Sequence, residues 1–239
     1  MIIIACKYKN DFGLKKEFKV PNKVPYTGSS STIEDVVIAC KEHMPNEKIV
    51  VVDGNSEDTS YYSLLNDVDI IDGNENYEIG AVWKAYEKYP NEEYYMLLQD
   101  TTIPVTNLTN YYPKFDKEIT SFFYSNDYES NQIGEQEWCI KNMSLCDIPY
   151  KSHGFKTFSF NLFLCKNNFL SELKQKSFDK ILPTNKTGSA CMENLLGMAA
   201  VQLGYSVNYI FGHIKETYNE FGVNLHRNDF IIKNFGKKE

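Results

Sequence analysis

The sequence predicts an α/β fold in a single domain: a mixed, mostly parallel central sheet flanked by helices. Three observations carry this. Residues 2–6, 48–52 and 94–98 are short apolar runs that stop at turn residues, the pattern of strands buried on both faces. These runs alternate with segments of helical periodicity, and βα alternation builds parallel sheets through right-handed crossovers. After Pro104 the character changes, and residues 119–124 and 157–165 alternate or run apolar and aromatic, as strands of a mixed or antiparallel portion do.

The elements follow in order. Residues 2–6 form a first core strand, and a polar, proline-containing stretch follows to Ser30. Ser31 or Thr32, with Glu34 and Asp35, caps a helix that runs to about His43 with Ile33, Val36, Val37 and Cys40 on one side. Met44, Pro45 and Asn46 end it before the strand at 48–52. Residues 58–66 read as a short helix opened by Asp58. Val68, Ile70 and Ile71 mark a third strand, and 79–89 a helix buried through Ile79, Val82, Trp83 and Tyr86. The strand at 94–98 follows. Beyond it, 125–156 is a polar, aromatic-dotted stretch long enough to be a functional loop, and 169–178 and 189–203 are helices. Residues 207–211 are a last strand, and the tail 212–239 is mixed and solvated. No repeat interrupts this plan. It divides into a ligand-binding front half, 1–104, and a back half, 105–239, within one continuous fold.

Composition narrows the function. The net charge of −7 argues against a protein held on nucleic acid by phosphate contacts, which needs a basic face. No run approaches the ~18 apolar residues of a membrane span, and the N-terminal apolar run is too short for a secretion signal. The six cysteines show no CxxC spacing and lie mostly in apolar stretches. They read as buried reduced thiols, which places the chain in the cytoplasm.

The candidate chemistry sits at strand ends. Ligands of open α/β sheets bind outside the carboxyl ends of the strands. There the sequence puts Asp53-Gly54-Asn55-Ser56-Glu57-Asp58-Thr59 after one strand and Gln99-Asp100-Thr101-Thr102 after another. A strand-tip aspartate can accept from a base or ribose; the competing reading is a plain turn with Asp58 as helix cap. Asp100 with neighbouring hydroxyls can hold Mg2+ or Mn2+, hard ions that take oxygen ligands; otherwise it is a capping residue. Asp67-Val68-Asp69 is an acid-x-acid, but it precedes a strand and reads as a solvated pair. Glu78 and Gly80 open a helix whose N-terminus could receive an anion, or Glu78 simply caps it. Glu193 could be a general base, or a helix-start acid stabilised by the macrodipole. His213 follows the last strand and could join a metal site; His226 is a weaker candidate.

Taken together, the strand with Asp53-Gly54-Asn55-Ser56 and Asp58-Thr59, the Tyr77, Glu78, Ile79, Gly80, Ala81 helix start and the strand with Gln99-Asp100-Thr101 resemble nucleotide-sugar glycosyltransferases of the GT-A fold. The likeness is to the inverting, family 2 type found among viral and bacterial polysaccharide or capsid-glycan transferases. It covers residues 1–104, and Met192-Glu193-Asn194 with Leu203-Gly204-Tyr205 resembles the later helix that carries the catalytic acid. The resemblance implies a donor linked to UDP, GDP or dTDP, a hexosyl or deoxyhexosyl group moved to a glycan or glycoprotein acceptor, and a Mn2+ or Mg2+ cofactor. It implies donor contacts at Asp53, Asn55, Asp58, Glu78, Gly80 and Gln99, metal ligands at Asp100 and His213, and Glu193 as catalytic base. Two features depart from the pattern: Gln99 and Thr102 stand where a second carboxylate is common, and Cys6-Lys7-Tyr8-Lys9 replaces a proline-containing strand end. The alternatives are a non-catalytic glycan-binding or scaffold domain of the same fold and a sugar nucleotidyltransferase. The second lacks its glycine-rich basic N-terminal loop here.

Overall fold

A computed structural model describes residues 1–7, 33–125, 133–150, 154–212, 225–227 and 231–234. The helix cap expected at Ser31 or Thr32 lies outside them. The central sheet has seven strands: β1 (Ile2–Cys6), β2 (Ile49–Asp53), β3 (Asp69–Ile71), β4 (Tyr94–Gln99), β6 (Glu118–Phe123), β7 (Ser159–Lys166) and β8 (Ser206–Tyr209), in the order β3-β2-β1-β4-β7-β6-β8. β1 pairs parallel with β2 and β4, and β2 parallel with β3. β7 runs antiparallel to β4 and β6, while β6 and β8 are parallel. The sheet is therefore mixed and mostly parallel, and the helices lie on both faces, as the sequence predicts.

The pleat explains the two layers. Successive side chains of a strand point to opposite faces. Val50, Val52, Ile3 and Leu97 face α2 (Tyr77–Lys88), α4 (Asn167–Gln175) and α5 (Lys186–Gln202), among Ile79, Trp83, Leu173 and Leu196. Val51, Ile4 and Leu98 face α1 (Ile33–His43), among Ile33, Val36 and Cys40. All five residues of β2 are buried, and burying each valine contributes about 1.5–3 kcal/mol relative to exposure. That is why the β-branched run at 49–52 is a central strand and tolerates no polar residue before its tip.

Four expectations need correction. Residues 125–156 are not simply a loop: α3 (Ile133–Met143) occupies the middle and packs on α5. Among its described side chains Cys139 and Met143 are buried one turn apart, but Trp138 is only partly buried and Ile140 is exposed, so the apolar residues do not keep to one helical side. The tail is not simply solvated either. β9 (Leu225–Arg227) and β10 (Ile231–Asn234) form a second, antiparallel sheet with β5 (Thr102–Pro104), in the order β5-β10-β9. Each of these strands has three or four residues, too few to show alternation. The expected helix at 58–66 is a short 3-10 turn at Ser60–Leu64. α5 begins three residues earlier than expected, where the Asn185 side chain accepts from Gly188 N at 2.8 Å.

Candidate active site at the carboxyl edge of the sheet

β2 and β4 flank β1, so their tips emerge on either side of its last residue. Backbone bonds fix all three: Gly54 N donates to Cys6 O at 2.7 Å and Asp100 N to Ala5 O at 3.0 Å. Lys7 N then donates to Asp100 Oδ2 at 3.1 Å. Asp53 and Asp100 thus stand at one rim with Cys6 between them. A Cβ on Gly54 would lie 3.0 Å from Cys6 O and 3.3 Å from Lys7 Cβ, so a larger residue there would crowd the end of β1.

The two carboxylates are used differently. Asp53 is 2% exposed. It lies on the α1 face of the sheet, where its Oδ2 accepts from Ser56 N at 2.8 Å and its Oδ1 from Tyr61 OH at 2.6 Å and from Ser56 Oγ. A carboxylate with three donors is a well-satisfied buried acceptor, and it ties the loop after β2 to the 3-10 turn. Asp100 is half-buried at the rim. Burial, reinforced by the Asp100 charge and more weakly by Asp53, pushes the Cys6 thiol up, while a Tyr61 hydrogen bond works the other way. Burial also pushes the Tyr61 phenol up, together with Cys6 and its bond to Asp53. Both groups stay protonated, and the Tyr61 proton is the one given to Asp53.

The remaining residues fall into two groups. Asn55 is exposed, with a left-handed φ of 56°, and donates to Glu75 Oε1 at 3.1 Å. Asp58 Oδ1 accepts from Ser60 N at 2.8 Å, but Asp58 is not the cap that the competing reading expects: the N-cap of the 3-10 turn is Thr59. Gly80 leaves room for the loop before α2. A Cβ there would lie 2.3 Å from Asn74 Oδ1 and 2.6 Å from Asn76 Cβ. On the α2/α5 face, Gln99 Nε2 donates to Glu78 Oε1 at 2.7 Å and to Phe160 O at 3.1 Å. Glu78 Oε2 accepts from Ser189 Oγ at 2.9 Å. Asp67 and Asp69 lie at the opposite, amino end of the strands, where the Asp69 carboxylate takes Tyr89 OH and Lys88.

Glu193 reaches the same edge through β7. Its carbonyl accepts from Phe158 N at 2.9 Å, two residues before the Phe160 carbonyl that takes the Gln99 amide. Met192 and Asn194 on either side are buried, and Glu193 is half-buried. α5 comes this close because Gly197 faces the Lys156 carbonyl, which a Cβ would meet at 2.0 Å.

No family model matches the sequence, and no curated protein does. Solved structures similar in fold include the galactosyltransferase LgtC in complex with donor and acceptor sugar analogs. That pair is 10% identical over 87% of this chain and 72% of that one, with a TM-score of 0.45. The mannosyltransferase PcManGT from Pyrobaculum calidifontis, in complex with GDP-Man and Mn2+, is 12% identical over 87% of this chain and 53% of that one, TM-score 0.45. A CMP:2-keto-3-deoxy-manno-octonic acid synthetase complexed with CTP is 9% identical over 88% of both chains, TM-score 0.46. These likenesses are too distant to bring any activity to this chain.

The donor set bears on the cofactor. Among the described residues no three His, Cys, Asp or Glu side chains gather to hold a metal ion, and His213 lies outside the described residues. Asp53 is engaged by Ser56 and Tyr61, and Thr102 is fully buried in β5 with no partner for its hydroxyl among the described residues. Asp100 is the rim carboxylate that fits a hard divalent ion, one that takes few protein ligands and fills its shell with phosphate oxygens and water.

The sequence marked Cys6 only as a departure at the end of the first strand and did not point to Tyr61, Ser189 or Phe160. Phe160 and Asn161 have φ of 61° and 54° inside β7, a rare conformation for residues other than glycine that clusters at functional sites. The only outward sign was the asparagine.

Proposed function

We propose that this chain is a glycosyltransferase, moving a sugar from a UDP-, GDP- or dTDP-linked donor to a hydroxyl of a glycan or glycoprotein acceptor with inversion. The supporting observation is the convergence of Asp53 and Asp100 on either side of the end of β1, with the Glu193 helix joined to the same edge through β7. Asp53 holds the loop of Gly54, Asn55 and Ser56 in the shape that would receive the base or ribose. Asp100 would hold a Mn2+ or Mg2+ ion with the diphosphate, and the ion would offset charge on the leaving phosphate oxygen.

Glu193 takes the acceptor hydroxyl proton as the acceptor oxygen bonds to the anomeric carbon. The bond from that carbon to the phosphate oxygen breaks, and its electron pair leaves with the nucleoside diphosphate. A carboxylate held within hydrogen-bond reach of the acceptor hydroxyl suits this work. Titration calorimetry of the full chain with UDP-, GDP- and dTDP-sugars, with and without Mn2+, tests the reading. Metal-dependent binding of one donor class, with slow release of nucleoside diphosphate in the absence of acceptor, is expected. Binding by none of them would overturn it.

Two observations favour a second reading. Asp53 is saturated by its own chain, and Gln99 stands in an acid's place, so a sugar-binding module without turnover also fits this rim. Donor or glycan binding with no release of nucleoside diphosphate would select it.

A further inference from the structure

We propose that Glu78 is a positioning residue that ties the donor rim to the helix carrying Glu193; what the tie serves rests on the transfer reading above. Its Oε1 accepts from Gln99 Nε2 at 2.7 Å and its Oε2 from Ser189 Oγ at 2.9 Å. The two partners are 21 and 111 residues away in sequence, so one side chain joins three elements. Gln99 is the last residue of β4, next to Asp100. Ser189 lies in the first turns of α5, four residues, or about one helical turn, before Glu193.

The tie also accounts for glutamine at 99. Its amide nitrogen donates to both Glu78 and the Phe160 carbonyl, so position 99 must supply two N–H bonds. A carboxylate there would set two negative charges at hydrogen-bond distance and leave the Phe160 carbonyl without this donor. Glu78 therefore selects a neutral donor at 99 and leaves Asp100 as the acid of that tip. Its own charge sits in the first turn of α2, where the helix dipole favours it. An acceptor hydroxyl and an anomeric carbon react only when held within a fraction of an ångström of the productive geometry. The Glu78 tie fixes the base helix against the rim at that precision.

The experiment uses the full chain and compares Glu78→Ala, Gln99→Glu and the swap E78Q/Q99E. Donor hydrolysis is measured alongside peptide-resolved hydrogen exchange over 187–193. Glu78→Ala and Gln99→Glu should lower kcat by about 10²-fold, the cost of a small misplacement, with donor KM held. Exchange over 187–193 should rise. The swap, which restores a donor–acceptor pair, should recover part of kcat. If Glu78→Ala does not fold, Ser189→Ala cuts only the α5 end and takes the same readouts. Unchanged exchange over 187–193, or a loss of donor binding with kcat retained, would overturn the tie. A wild-type chain that neither binds nor hydrolyses any donor, with exchange still responding, would remove the transfer reading and leave the tie standing.

Discussion

Asp53 and Asp100 reach the rim by the same device, a parallel strand that ends beside β1, yet they meet different surroundings. The strand pattern makes their positions legible in sequence. Their occupation is legible only in part: Ser56 stands in the turn motif itself, but the third donor to Asp53, Tyr61, comes from a 3-10 turn and carries no marker of its partner. Asp53→Asn should therefore act first on stability. It weakens the acceptor for three donors and should cost about 1–3 kcal/mol, read as a lower urea midpoint, with any loss of donor affinity following from the disordered loop. Asp100→Ala should leave the urea midpoint nearly unchanged and abolish the Mn2+-dependent part of donor binding in calorimetry. Glu193→Gln should lower kcat by about 10²–10⁴-fold, the range for a lost general base, while the donor Kd holds. An unchanged kcat would move the base to another residue.

At the scale of elements, α5 is the part most exposed to small changes. Gly197 faces a backbone carbonyl rather than a yielding side chain, and a Cβ would meet Lys156 O at 2.0 Å and its carbonyl carbon at 3.0 Å. Gly197→Ala should therefore cost about 1–3 kcal/mol by overpacking, although alanine favours helices. A chain of this size loses about 2–4 °C of Tm per kcal/mol, which differential scanning calorimetry resolves. The helix was readable in sequence because Leu195, Leu196, Met198 and Ala199 crowd one side. The requirement at Gly197 was not, since a mid-helix glycine shows nothing of what lies opposite. α3 stayed hidden for the converse reason: partly buried Trp138 and exposed Ile140 blur the Cys139 and Met143 spacing, so no clean apolar side shows in the window.

For the whole molecule, the alternation of runs and periodic helices made the layers and the parallel half predictable. The strand order β4-β7-β6-β8 and the small second sheet depend on pairings between distant segments, which a linear pattern does not contain. The thiols give a global prediction. All six cysteines are buried; burial pushes Cys40 up to about 12, and burial with the nearby Asp179 charge does the same to Cys146, from an ordinary value of 9.0. The unfolded chain then ionises these thiols before the folded one does. Their contribution to stability is complete below about pH 9 and is lost as pH rises from 9 towards 12. Urea midpoints should fall over that window, and native thiols should resist alkylation at pH 8 until denaturant is added. Fast labelling of the folded chain would contradict the burial.

The clasp between β5 and β10 has a practical side. Ile231, Ile232 and Lys233 pair with Pro104, Ile103 and Thr102, so the residues just downstream of Asp100 are braced by amino acids encoded more than a hundred codons later. Shortened expression versions that stop before Leu225 would strip that brace and disturb ligand affinity at a distance. A nuisance of cloning would in this way register as a defect at a rim far away in sequence.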